Sequence, residues 1–224
     1  MNKAIFWDSD GTLLYSNESF KISLIRAMEN GGYTPDESAV QSLMKRICTW
    51  HTPEKDHSRQ NGEEWWQELL TGIGGFCMQQ GIVQEGIPAI CNAFRQNVIA
   101  YEYEAYADAK EVLHAFRERG FANYIISNNF PELDQVFRRL GLDSDISGYI
   151  LSGSAGYEKP RREIFVCAMQ LAGNPDICYM VGDNPVADGQ GGLNAGMKPV
   201  LVHNHQEGMV CCENLSDLLT VIPS

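Results

Sequence analysis

Short apolar runs without alternation recur along the chain, and polar or charged residues follow them closely. Ala4–Trp7 runs into Asp8, "FANYIIS" ends at Ser127, "GYIL" at Leu151, "ICYMV" at Val181 and "PVLV" at Val202. Such runs suit strands of a parallel sheet that is covered on both faces. Between them, apolar positions fall at helical spacing. Val112, Leu113 and Phe116 share a face before Gly120. Leu133, Val136, Phe137 and Leu140 follow Pro131 and precede Gly141. Ile164, Phe165, Ala168, Met169 and Leu171 precede Gly173. Proline near the start and glycine just past the end are ordinary helix punctuation. Strand and helix in alternation predict an α/β fold with a doubly wound parallel sheet.

One gap breaks the rhythm. The first strand ends at Asp8 and the second begins near Phe121. A crossover needs only about a dozen residues or somewhat more. The excess carries helical stripes: Phe20, Leu24, Ala27 and Met28 form one, Leu43 and Ile47 another. Gly72–Gly75 and "QEGIP" are expected to break later helices, and "HTPEKDHSRQNGEE" reads as a polar loop. The expected organisation is an α/β core from residues 1–15 and 105–224, with an α-helical insertion over 16–104.

Composition narrows the partners. The 224 residues are 44% hydrophobic and 21% charged, as in ordinary globular proteins, and the net charge is −12. So acidic a chain is expected to bind neither nucleic acid nor an anionic membrane surface. No stretch approaches the roughly 18 apolar residues that span a bilayer. The start, "MNKAIFWDSD", lacks the roughly 7–15-residue apolar core of a secretory leader. Seven scattered cysteines without a C-x-x-C pair read as reduced thiols, and the expected location is cytoplasmic. Cys211 and Cys212 are adjacent, which alone says little about redox chemistry.

Ligands of open parallel sheets bind outside the carboxyl ends of the strands. Asp8 and Asp10 stand at the first such end, and Ser127 and Asn128 at the second. Lys159 follows the third in "YEKP", and Asp183 and Asp188 follow the fourth in "GDNPVAD". Four carboxylates can share one edge only if a cation or proton offsets them. A set of oxygen ligands suits a hard divalent ion, with Mg²⁺ the usual choice beside phosphates.

These residues resemble the haloacid dehalogenase superfamily, in its phosphatase branch with the first class of helical cap, phosphoglycolate phosphatase-like. Asp8-Ser9-Asp10-Gly11-Thr12 is similar to the family's D-x-D-G-T, Ser127 to its serine or threonine at a strand end, and Lys159 to its lysine. Gly182 to Asp188 is similar to G-D-x-x-x-x-D. Trp7 departs mildly from the phenylalanine common before the first aspartate. The resemblance implies a Rossmann-like core and hydrolysis of small soluble phosphomonoesters through an aspartyl-phosphate. It implies Asp8 as nucleophile and Asp10 as general acid and then base. Ser127, the amide of Asn128, and Lys159 would hold the phosphoryl oxygens. Mg²⁺ would be held by the Asp8 carboxylate, the Asp10 backbone carbonyl and Asp183, with Asp188 acting through water or orienting Lys159. The partner expected is a small phosphorylated metabolite.

The core motifs alone leave alternatives open. A phosphosugar mutase or other phosphotransferase of the superfamily uses the same motifs. A non-catalytic module that responds to phosphate also places acids at strand ends, though Asp10 has no hydrolytic use there. A dehalogenase does not need a carboxylate at position 10. Arg46, His51, Lys55 and Arg59, around the polar loop, are candidate contacts to the leaving group. Trp65 and Trp66 are expected to pack within the cap or at its seam with the core, and His203 and His205 to lie in a surface loop.

Overall fold

The computed structural model describes residues 2–223. Among them a six-stranded parallel sheet forms from β1 (Lys3–Trp7), β2 (Phe121–Ser127), β3 (Ile146–Leu151), β4 (Ile177–Gly182), β5 (Lys198–Val202) and β6 (Cys211–Cys212). The strand order is β3-β2-β1-β4-β5-β6. The chain moves outward from β1 to β3, then returns across β1 to β4. The reversal places a crevice at the carboxyl ends of β1 and β4, where open sheets hold ligands.

Both faces of the sheet are buried, as the unbroken apolar runs require. Ile5 and Trp7 point into a core with α5 (Ala109–Glu118) and α6 (Leu133–Arg139). Ala4 and Phe6 point the other way, into a core with α8 (Arg162–Leu171). Leu171, the last apolar position of α8, lies more than half exposed at its end. Pro131 sits in a turn, two residues before α6 begins. The strand β6 and the short helices α7 (Ser152–Ala155), α9 (Gly191–Asn194) and α10 (Leu218–Val221) are too brief to leave a periodic signal.

Between β1 and α5 the chain forms α1 (Ser19–Asn30), α2 (Glu37–Ile47), α3 (Glu63–Gln79) and α4 (Ile87–Ile99). It leaves and re-enters the core through two linkers that run side by side. The Tyr15 amide donates to Glu104 at 2.9 Å and the Tyr106 amide to Leu13 at 3.0 Å. Gly72–Gly75 do not break a helix, contrary to the sequence expectation, because α3 passes straight through them. Its buried face, including Trp66, Leu69, Ile73 and Phe76, outweighs their low propensity. A Cβ on Gly72 would lie 3.0 Å from Ile47, so the small residue is what lets α2 approach. Trp66 is at the seam with the core. Its indole donates to Glu132 at 2.8 Å, and Arg95 bridges Glu132 and Glu63 at 2.9 Å each. No helix among the described residues is long and apolar enough to cross a membrane.

One polar residue inside the apolar run of β2 ties the sheet together. Asn123 is fully buried; it accepts from the Trp7 indole at 3.0 Å and donates to the carbonyls of Leu113 and Asp145 at 2.9 and 3.0 Å. The tryptophan at position 7 therefore has a polar partner that phenylalanine would not need. Asn123→Ala would strand one donor and two acceptors in an apolar interior, at about 1–3 kcal/mol for each buried group left unpaired. We expect a net loss of about 3 kcal/mol or more, read as a lower urea midpoint with an unchanged slope. An unmoved midpoint would show that the network adds nothing to stability.

Candidate functional site

The sheet register brings the motif residues level. Trp7 pairs with Val181 on one side and Ile125 on the other, and the Asp8 amide donates to the Val181 carbonyl at 2.9 Å. Asp8 thus leaves β1 beside Asp183, which follows β4, and near Ser127, which ends β2. The turn after Asp8 closes on itself through Gly11, whose amide donates to Leu14 at 2.7 Å. Gly11 has φ +81°, and a Cβ there would collide with the Asp183 carboxylate. Glycine both permits this turn and leaves room for the acid.

Lys159 lies under this edge, 1% exposed. Its ammonium donates to Asp188 at 2.6 Å and to Asp8 at 2.8 Å. Burial works against its charge, but Asp188 and Asp8 outweigh burial and hold the ammonium above the ordinary lysine range. Its backbone is clamped from β2. The Lys159 amide donates to the Asn128 side-chain oxygen at 2.6 Å, and the Asn128 side-chain nitrogen donates to the Lys159 carbonyl at 3.0 Å. The side chain of Asn128 is therefore committed to placing Lys159.

Asp8, Asp183 and Asp188 each bring a carboxylate oxygen to within 4.8 Å of the others. Against one ammonium, three carboxylates leave two negative charges uncompensated. Burial pushes the Asp183 carboxyl up to about 6, and Asp8 adds to the rise while Lys159 opposes it. A hard divalent cation fits both the donor set and the charge.

Asp10 stands apart from the lysine and has a different sheath. It accepts from Asn129 at 2.7 Å, Ser9 at 2.9 Å and Asn17 at 3.0 Å, all uncharged donors. Burial raises its carboxyl to about 6. The Ser9 hydrogen bond opposes the rise, Asp8 adds to it, and the two asparagines oppose it. Ser9 also shares a 2.6 Å hydrogen bond with Ser127, so a hydroxyl relay links the end of β2 to Asp10. Sequence reading missed Ser9, Asn17 and Asn129. Asn129 follows two candidate residues in "SNN", and only the fold shows that it turns to Asp10 while Asn128 turns to Lys159.

Asp8, Asp10, Ser127, Lys159 and Asp183 floor a cavity of about 530 Å³, walled from the helical insertion by Phe20, Trp50, His51 and Tyr103 among others. Of the four candidates around the polar loop, His51 reaches the cavity; Arg46, Lys55 and Arg59 are exposed and do not line it. Neither Trp65 nor Trp66 lines it. Glu158 is buried beside Lys159 and accepts from Thr49, which ties the insertion to the core next to the site. His203 is partly buried rather than free on the surface. Its ring stacks on Tyr106 at 3.8 Å, and its nitrogens face the carbonyls of Glu213 and Thr12.

The chain is similar to several known proteins. It is 39% identical to pyrimidine 5'-nucleotidase YjjG of Escherichia coli over 84 residues, which cover 36% of this chain and 37% of the relative. It is 35% identical to phosphoserine phosphatase of Thermus thermophilus over 104 residues, 45% of this chain and 41% of the relative. The aligned stretches thus span about two fifths of either relative. The HAD-hydrolase YfnB from Bacillus subtilis, solved with magnesium, superposes with a TM-score of 0.73 at 17% identity. The superposition covers 99% of this chain and 98% of that one, and establishes likeness of fold. A model of the haloacid dehalogenase-like hydrolases matches residues 2–196. Since that match takes in every residue of the cluster from Asp8 to Asp188, the chain belongs to the haloacid dehalogenase-like hydrolase family.

Proposed function

We propose that the protein is a Mg²⁺-dependent phosphatase of small phosphomonoesters that works through an aspartyl-phosphate on Asp8. The observation that carries this reading is the unequal environment of two carboxylates on one turn. Asp8 is held by the Lys159 ammonium, whereas Asp10 is held by Asn17, Ser9 and Asn129 with no cation in contact. On this reading the first serves as the nucleophile and the second as the group that gives and takes the proton. A phosphatase and a nucleotidase among the relatives fit the same reading.

The chemistry follows in two steps. An Asp8 oxygen forms a bond to phosphorus as the ester bond to the leaving oxygen breaks, and Asp10 delivers its proton to that oxygen. Asp10 then takes a proton from water as the water oxygen bonds to phosphorus. The bond between phosphorus and Asp8 breaks, and inorganic phosphate leaves. Lys159, the Asn128 amide and Ser127 would steady the phosphoryl oxygens. Asp8 and Asp183, with the Asp10 backbone carbonyl, would hold Mg²⁺, and Asp188 would keep Lys159 in register. Mg²⁺ supplies positive charge against the transferring group.

Phosphate release from a panel of phosphomonoesters is expected to require Mg²⁺ and to stop on chelation. Asp8→Asn should lower turnover by roughly 10⁴-fold or more, the scale of removing a covalent nucleophile. Turnover that survives the substitution would refute Asp8 as nucleophile. Asp10→Asn should lose about 10²–10⁴-fold. Burst kinetics separate its two roles. If the second step suffers more, a stoichiometric phosphoenzyme accumulates. If Asp10 moves no proton, the rates stay near those of the parent.

A further inference from the structure

The cavity wall describes the group that leaves. Among the described residues Lys159 is the only lysine or arginine lining the cavity, and its ammonium is already bonded to Asp188 and Asp8. His51 is the other wall residue that could carry positive charge, and burial and the nearby Lys45 lower its proton affinity. A leaving group with its own carboxylate would therefore face Asp8, Asp10 and Asp183 with no unclaimed cation to meet it. A chain of net charge −12 adds to that repulsion.

What the wall does offer is aromatic surface. Phe20, Trp50 and Tyr103 line the cavity. Trp50 is half-buried and packs edge-on against Phe20 at 4.9 Å, so its ring is braced while part of it stays open. Tyr103 is buried and donates to Ser19 at 3.2 Å. Around these rings the polar groups Ser16, Asn17 and Ser19 are uncharged, so this part of the wall adds no charge to meet an ionic leaving group. At about 530 Å³, the space exceeds what a two-carbon leaving group would fill.

We infer that the cavity is built for an uncharged leaving group with a flat unsaturated ring, the chemistry of a nucleoside, braced against Trp50. Nucleoside monophosphates, rather than carboxylate-bearing phosphomonoesters or simple sugar phosphates, are then its substrates. This rests on the phosphatase reading and sharpens it.

The test is phosphate release with saturating Mg²⁺ from uridine and adenosine 5'-monophosphates, phosphoglycolate, phosphoserine, glucose 6-phosphate and acetyl phosphate, the last a small acyl phosphate with no ring. At least one nucleotide is expected to exceed phosphoglycolate, phosphoserine and glucose 6-phosphate in kcat/KM by roughly tenfold or more, the scale of stacking one base on an aromatic ring. Trp50→Ala should lower the nucleotide-to-acetyl phosphate ratio of kcat/KM by about tenfold, chiefly through KM, and Trp50→Phe should restore most of it. His51→Arg should narrow the gap by improving phosphoglycolate. A carboxylated ester or the sugar phosphate ranking first, or a ratio unmoved by Trp50→Ala, overturns the inference and leaves the phosphatase standing. No release from any compound, acetyl phosphate included, removes the phosphatase reading and this inference with it.

Discussion

The structure turns on an ammonium buried among carboxylates. Lys159 is almost inaccessible to solvent, and its charge is tolerable only because Asp8 and Asp188 meet it at 2.8 and 2.6 Å. The lysine in turn offsets part of the negative charge of those acids. Asp8 follows β1 and Asp188 lies in the segment after β4, so pairing of those two strands brings both acids to the lysine. Removing one member of a buried group of this kind leaves an uncompensated charge, at about 3–5 kcal/mol. The clamp from Asn128 onto the backbone of Lys159 extends the same constraint to β2.

Much of this was readable from residue order, for reasons that differ by element. The five longer strands showed because both faces of a parallel sheet are covered, leaving unbroken apolar runs. The acids showed because they stand where those runs stop. What stayed hidden depended on contacts between distant residues. Gly72–Gly75 read as a break, but burial of the Trp66 face holds α3 together through them. Asn123 looked like one polar residue in a strand, and only the neighbouring strand reveals its partner in Trp7. Asn128 and Asn129 are identical in type and adjacent in sequence, yet they serve opposite sides of the site. Arg46, Lys55 and Arg59 were attractive on charge alone, but the polar loop carries them into solvent.

The site thus divides into two materials. The floor is ionic, closely bonded and supplied by the sheet. The roof is aromatic and neutral, and it is supplied by the helices between β1 and α5. Contacts that join them include Thr49 with Glu158 and Trp66 with Glu132, and Asn17 with Asp10 at the strand edge itself.

The two linkers that flank the helical insertion give this division a topological basis. Leu13 and Tyr15 pair with Tyr106 and Glu104, so the chain exits and returns at nearly the same point. The α/β core therefore sees the whole insertion as one short closed loop, whatever its length. Loop entropy rises only slowly with length, so the core pays little for a larger or smaller roof. A different set of helices, with its ends equally close, could join the same two linkers without moving Asp8 or Lys159. The fold is in that sense a socket: the strand-edge residues stay with the base, and the helical fitting above them is exchangeable.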